Sequence, residues 1–317
     1  MGIDRGAPWV AGVDIGGTKV AVSLAQATHL QPLIHSRYSE PTVREGEPAA
    51  LSEQVLRLIE RACAESALAA SELCGVGVSS CGPFALRGGM IELAAPNICG
   101  GLGRSELGND WVSAPLERPL RERYDWVRVE IDTLAALEAE RRWGALQGSA
   151  HCAYVTWSTG IGMGLCVDGR PLRGKNGNAG HAGHSFVVTE GQAACGCGNV
   201  GDVESLIAGS AIQRRWGMDA AQLLADARTG DALALASVDE LCLVMGRALY
   251  NLIVTLDLQI ISLGGSVYWN HRDFLLPRLQ QQLVGKLPAL TEDCRLVSAG
   301  LGGEVGDFGA IALVAQE

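Results

Sequence analysis

The same short pattern opens both halves of this 317-residue chain: an apolar run, a glycine turn and a second apolar run. In the first half Trp9 to Ile15 leads through Gly16-Gly17 into Lys19 to Leu24. In the second, Cys152 to Trp157 leads through the Gly turn Ser158 to Gly164 into Leu165 to Val167. Runs of this length between glycines read as strands. A glycine hairpin between paired strands aims several backbone N–H groups at one point. Two such hairpins facing each other make a phosphate clamp at a domain cleft. Two unrelated β-hairpins produce the same pattern, because Gly-rich turns are common.

The segments between these repeats alternate in type. Leu51 to Ala70 has helical periodicity, and Leu73 to Ser79 is a short buried strand ending at Gly82-Pro83. Residues 97–110 are polar and Gly-rich and predict an exposed loop. A short helix over Pro115 to Arg123 and a strand over Val127 to Ile131 follow. Thr133 to Trp143 is helical, with Asp132 or Thr133 placed to cap it. A polar, Gly-rich segment covers 169–201, helices fill 203–250 and extend to Leu256, and Ile260 to Leu263 is a strand leading to Gly264-Gly265. Ser298 to Gly300 precedes a last helix from about Asp307.

Composition limits the function classes. Hydrophobic residues make up 48% of the chain and charged residues 19%, enough to bury a sizeable core in two lobes. The net charge of −10 and the lack of a basic patch argue against nucleic acid. They leave room for anionic ATP, which backbone N–H groups and a metal ion can hold locally. Residues 2–8 are polar and the next apolar run is short, so no secretory signal is expected. No run of 18 apolar residues predicts a membrane span. Of ten cysteines, Cys63, Cys74, Cys152, Cys166 and Cys242 sit in apolar runs as small buried hydrophobes. Reduced thiols suit a cytoplasmic chain. Only Cys195 and Cys197 are spaced like ligands. No P-loop signature occurs. Gly196 to Gly201 matches GxGxxG but follows no clear strand and overlaps a better-explained segment.

Five ordered segments resemble the ROK family of sugar kinases and regulators. They are DIGGTK at 14–19, Pro96-Asn97, Asp132 before a helix, STGIG at 158–162 running into GNAGHAGH at 177–184, and CGCGNVGDVES at 195–205. Leu263-Gly264-Gly265 and a Gly-rich stretch at 300–309 complete the pattern, which covers nearly the whole chain. The resemblance implies an α/β fold of two ribonuclease-H-like (actin-like ATPase) lobes with an interdomain cleft. Their expected extents are a small lobe over 1–130 and a large lobe over 131–317. The large lobe carries the metal and sugar segment 177–205, and the last helix packs back on the small lobe. The family further implies ATP, Mg²⁺, often Zn²⁺, and a homo-oligomer, commonly a dimer or tetramer.

By the same resemblance, Asp14 would hold Mg²⁺ directly or through water, and Gly16, Gly17, Thr18 and Lys19 would meet phosphate. Ser158, Thr159, Gly160 and Gly162 match the second phosphate loop, and Gly264 and Gly265 complete the nucleotide set. Gly160→Val is expected to push a side chain into the phosphate space. Asp132 matches the catalytic carboxylate, which would orient an acceptor hydroxyl and take its proton. Asn97, His184 and Glu204 match sugar contacts, and His184, Cys195 and Cys197 match three zinc ligands.

The departures are chemical. Ile131 stands where most family kinases carry an Asn that bonds sugar hydroxyls. His181 stands where the family has a Glu, so an imidazole with one donor and one acceptor replaces an acceptor-only carboxylate. Asp202 replaces a third zinc-binding Cys. The resemblance implies an ATP-dependent kinase acting on a primary hydroxyl of a monosaccharide or sugar-like cyclitol, and the changes at Ile131 and His181 point to an acceptor other than plain glucose. The competing readings are a conventional glucokinase and a sugar-binding regulator or sensor without catalysis. A regulator needs a DNA-binding helix-turn-helix before the first phosphate motif, and only about a dozen residues precede Asp14.

Overall fold

In the computed structural model, which describes residues 7–27, 31–103, 107–187, 193–195 and 197–315, the first apolar repeat is a hairpin. Residues 1–6, the start of the segment weighed for a secretory signal, and Gly196 of the GxGxxG match lie outside the described residues. Strands β1 (Trp9–Ile15) and β2 (Lys19–Gln26) pair antiparallel, with Ile15 opposite Val20. Nearly every position of both is buried, which is why they read as continuous apolar runs. β3 (Ile34–Pro41) adds to β2 as an edge strand whose residues alternate between half-buried and exposed. β4 (Leu73–Ser80) lies parallel to β1. β5 (Phe84–Arg87), β6 (Met90–Leu93) and β7 (Ala114–Pro115) form a separate antiparallel sheet. β8 (Val127–Ile131) then pairs parallel with β4 and completes the order β3-β2-β1-β4-β8.

Helix Val305–Ala312 lies on this sheet at very close range. A Cβ on Gly12 would fall 2.9 Å from Ile311 Cγ1, and one on Gly77 would run into the Ala310 carbonyl. The two glycines therefore set the helix-to-sheet distance. Helix Asp132–Trp143 packs on the same terminal helix, where a Cβ at Gly309 would lie 3.1 Å from the Ala135 carbonyl carbon. Arg128 Nη1 adds a bond to the Leu313 carbonyl at 3.1 Å.

The chain divides into Met1–Trp143 with Arg173–Asn178 and Glu304–Glu317, and Gly144–Leu172 with Ala179–Gly303. The first boundary falls after Trp143, not at 130, because β8 runs straight into helix Asp132–Trp143, which packs on the terminal helix of its own unit.

The second unit repeats the strand plan. β9 (Cys152–Trp157) and β10 (Ile161–Val167) form an antiparallel hairpin, and β11 (Arg170–Pro171) adds outside it. β12 (Ile260–Gly264) and β13 (Arg295–Ser298) follow in parallel, giving β11-β10-β9-β12-β13. Each unit thus carries the same five-stranded, ribonuclease-H-like sheet. The turn is shorter than the glycine spacing suggests: β10 starts at Ile161, so Gly162 and Gly164 lie within a strand. The core of this unit packs β9 and β12 against helices Val203–Ile207, Gly209–Trp216, Ala220–Thr229 and Ala232–Leu256. Among the described residues no helix is long and apolar enough to cross a membrane.

Candidate functional site

In the first unit, Ile15 pairs with Ser80 and Ser80 with Ile131. Gly16, Cys81 and Asp132 therefore leave three parallel strands at one edge of the sheet, the carboxyl edge where open α/β sheets bind ligands. Asp132 is exposed and is the first residue of its helix; its Oδ1 accepts the Thr133 N–H at 2.7 Å. Cys81 Sγ lies 3.9 Å from Asn97 Oδ1. Burial first, and then the charges of Asp132 and Asp14, push the Cys81 thiol up to about 12. Asp14 and Asp132, on the strands that flank β4, and Asn97, beside the Cys81 thiol, thus share one edge of the sheet. Ile131 is 4% exposed, which leaves an acceptor only a sliver of apolar surface there.

Asp14 receives one long hydrogen bond, from Ser79 Oγ at 3.4 Å. Burial raises its carboxyl above the ordinary value, and the charge of Asp307 adds to that; Lys19 and Arg37 oppose it. Asp307 is itself held by Arg37 Nε at 2.9 Å and Ser23 Oγ at 3.1 Å. A half-buried carboxylate with one long hydrogen bond keeps lone pairs that a divalent cation can take.

The two glycine turns are held in the same manner. In the first, Gly16 N–H bonds the Lys19 carbonyl at 2.9 Å. Thr42 Oγ1 donates to the Gly16 carbonyl at 2.8 Å, Arg44 Nη2 donates to the Gly17 carbonyl, and Thr42 N–H donates to the Thr18 carbonyl at 3.1 Å. In the second, Ser158 N–H bonds the Gly160 carbonyl at 3.0 Å. Gly209 N–H donates to the Ser158 carbonyl at 2.8 Å, and Ser210 Oγ donates to the Thr159 carbonyl at 2.9 Å. In a trans peptide the N–H points away from its carbonyl. Holding these carbonyls from behind turns the N–H groups of Gly17, Thr18 and Lys19, and of Thr159 and Gly160, to the opposite side. That arrangement suits an anion.

Glu204 has a role the sequence did not reveal. Its Oε2 accepts the Ile161 N–H at 2.9 Å, and a Cβ on Gly160 would fall 2.8 Å from the same oxygen. A side chain at 160 would therefore press on the Glu204 carboxylate as well as on the space expected for phosphate. Gly264 and Gly265 also have a packing explanation. A Cβ on Gly264 would strike the Tyr154 hydroxyl, and one on Gly265, at φ +86°, would lie 2.5 Å from the Trp157 backbone.

His184, Cys195, Cys197 and Asp202 form a cluster whose ligand atoms all lie within 4.8 Å of one another. Cys195 Sγ is 3.6 Å from His184 Nδ1, Asp202 Oδ2 is 3.3 Å from the same nitrogen, and Cys197 Sγ is 3.5 Å from Asp202 Oδ2. Tetrahedral zinc, with its usual bond lengths to sulfur, nitrogen and oxygen, separates such pairs by about 3.6, 3.3 and 3.5 Å. The donor set fits zinc. Burial raises the Cys195 thiol. Burial would raise Asp202 too, but the Ser205 N–H, together with Cys195 and His184, holds it below its ordinary value. Asp202 Oδ1 accepts that N–H at 2.7 Å, so the residue also caps helix Val203–Ile207. Cys195 Sγ reaches Glu204 Oε1 at 3.8 Å, which links this cluster to the Ser158–Gly160 turn. The His181 and His184 rings stack at 6.1 Å.

Asp14, Gly16 to Lys19, Asn97, Ile131 and Asp132 thus belong to the first unit. Ser158 to Gly162, His181, His184, Cys195, Cys197, Asp202, Glu204, Gly264 and Gly265 belong to the second. Sequence reasoning missed Thr42, Arg44, Cys81, Asn109, Gly209 and Ser210. None stands in a motif, and each acts through a partner distant in the chain.

The ROK family model matches residues 10–317. A glucokinase from Halalkalibacterium halodurans is 28% identical over 330 residues, covering 98% of this chain and 96% of that protein. An N-acetylmannosamine kinase from Salmonella paratyphi B is 31% identical over 265 residues, covering 80% of this chain and 82% of that protein. The crystal structure of a ROK hexokinase from Thermus thermophilus superposes with a TM-score of 0.76 at 32% identity, covering 97% of each chain.

Proposed function

The chain belongs to the ROK family and is an ATP-dependent carbohydrate kinase, and from that premise we propose that its acceptor is a monosaccharide or sugar-like cyclitol other than plain glucose, phosphorylated on a primary hydroxyl. The observation that carries the catalytic part is the convergence of Asp14, Asn97 and Asp132 at the carboxyl edge of one sheet. Asp132 takes the acceptor's hydroxyl proton as that oxygen bonds the γ-phosphorus and ADP leaves with the β–γ bridging oxygen. Asn97 bonds an acceptor hydroxyl. The N–H groups of Gly17 to Lys19, and those of Thr159 and Gly160, are read as separate phosphate contacts.

Asp14 would hold Mg²⁺, which neutralises phosphate charge when bound. His184, Cys195, Cys197 and Asp202 would hold a structural zinc that orders the segment carrying His181 and Glu204. A homo-oligomer, dimer or tetramer, belongs to the same proposal and rests on the family.

The acceptor part rests on Ile131 and His181. Ile131 neither donates nor accepts, and His181 donates where a carboxylate only accepts. An acceptor altered near C1 and C2 suits both: an amino sugar, a ketose or a carbocyclic analogue. The matched relatives are named for different acceptors, glucose and N-acetylmannosamine, and the glucokinase keeps a conventional glucokinase as the second reading. The test of the catalytic assignment is ADP release across an acceptor panel with Asp132→Asn as control. That variant should lose roughly two to four orders of magnitude in turnover and keep nucleotide binding. Turnover within a few-fold of the parent would rule the role out.

A further inference from the structure

Within the first unit the phosphate turn and the proposed acceptor residue are joined by a closed circuit of contacts, and Arg44 and Asn109 stand in its middle. Arg44 Nη2 donates to the Gly17 carbonyl. The carbonyl of Arg44 accepts from Asn109 Nδ2 at 2.9 Å. The same Nδ2 donates to the Ile98 carbonyl at 3.0 Å. Asn97, the residue before it, rests its amide on the α-carbon of Gly17, where a Cβ would lie 3.0 Å from Asn97 Cγ. The circuit therefore begins and ends at Gly17.

Both middle residues are committed to it. Asn109 uses all four of its hydrogen-bonding positions: two N–H donations, and acceptance at Oδ1 from Gly100 N at 2.9 Å and Trp111 N at 3.1 Å. That fixes which end of the amide is nitrogen. Arg44 makes no ion pair among the described residues, so its guanidinium serves a backbone carbonyl. A bond from a charged donor to that carbonyl is stronger than a neutral one. The segments that carry Arg44 and Asn109 are joined again two residues further along each, where Trp111 Nε1 donates to the Gly46 carbonyl at 2.8 Å.

We propose that Arg44 and Asn109 are positioning residues that lock the Gly17 peptide and Asn97 in one fixed relation, so that the phosphate turn and the acceptor contact keep register with each other. This rests on the reading above that Gly16–Lys19 meet phosphate and Asn97 meets the acceptor. Neither residue touches substrate in this account. Each acts through a backbone it holds.

The test uses the full chain and three variants. Asn109→Asp is isosteric, keeps both acceptances and loses both donations; Arg44→Met keeps the stem and loses the charge; Arg44→Lys restores a donor. Amide exchange is followed in nucleotide-free protein, where no substrate is needed. Asn109→Asp should speed exchange at Gly17–Lys19 by about tenfold or more, although residue 109 touches none of them. Arg44→Met should do the same at 97–100, and Arg44→Lys should return most of the protection. In kinetics, the double variant Arg44→Met/Asn109→Asp should lose about as much kcat/KM as the worse single variant, because both break one circuit. Faster exchange confined to the neighbours of each substitution, or losses that multiply, would overturn the proposal. ADP release by the parent tests the kinase reading separately, so failure of one is not failure of the other.

Discussion

The side-chain amide of Asn97 occupies the space that a β-carbon on Gly17 would take: Asn97 Cγ would lie 3.0 Å from it, and Nδ2 closer still. A phosphate-turn glycine is usually explained by the approach of phosphate. Here it is equally a glycine that makes room for a residue proposed to touch the other substrate. Gly17→Ala should therefore damage acceptor use at a position assigned to nucleotide. A displacement of about 1 Å at such a contact costs on the order of 100-fold in rate. Steady-state kinetics should show a raised KM for the acceptor as well as for ATP. An unchanged acceptor KM would show that Asn97 moves aside without consequence.

Asp14 gives a prediction in the opposite direction, for stability. Burial, and after it the charge of Asp307, raises the Asp14 carboxyl. A carboxyl raised in the folded state binds its proton more tightly folded than unfolded. It therefore supports the fold below its ordinary value of 3.8, and that support is lost as pH rises through the raised value. In metal-free protein at pH 7, Asp14→Asn should melt above the parent, with the advantage shrinking as pH falls toward 4, while kinase activity is lost. Calorimetry across that range checks it. A variant that melts at or below the parent at pH 7 contradicts the charge account.

The metal cluster predicts composition. Protein purified without chelator should carry zinc near one equivalent per chain by elemental analysis. Cys197→Ser is the cleaner probe, because Cys197 is exposed whereas Asp202 also caps a helix. The variant should lose zinc with little change in the remaining fold. A zinc content near zero in the active parent would leave 184–202 as a loop held by its own hydrogen bonds.

The legible part of this protein was local. The runs around Gly16-Gly17 and Ser158–Gly160 announce buried hairpins, whereas Asp132 reads as a helix cap until the family resemblance marks it as a catalytic carboxylate. The repeated sheet and the candidate residues of both units came from the resemblance to the ROK family that the ordered motifs carry. What escaped is what long separations assemble. Arg44 stands in no motif, and Asn109 reads as one polar residue in a Gly-rich loop. Their bonds to Gly17 and to each other span 27 and 65 positions. Glu204 was expected to face an acceptor, and nothing in its motif signals the bond to Ile161 across 43 positions. The boundary at Trp143 was likewise hidden, since it depends on which unit the terminal helix packs against.

The acceptor assignment is the central claim, and a kinetic panel tests it most directly. A buried site built for hydrogen bonding discriminates because each unmatched partner is left unpaired at about 1–3 kcal/mol. Ile131 withdraws a partner that most family kinases offer, and His181 offers a donor in place of a carboxylate. The measurement is kcat/KM for glucose, N-acetylmannosamine, a ketose and a carbocyclic sugar analogue under one set of conditions with ATP and Mg²⁺. The account predicts that at least one non-glucose acceptor exceeds glucose by tenfold or more, about what a single unpaired group gives. Glucose at the top of the panel would contradict it and return the chain to a conventional glucokinase.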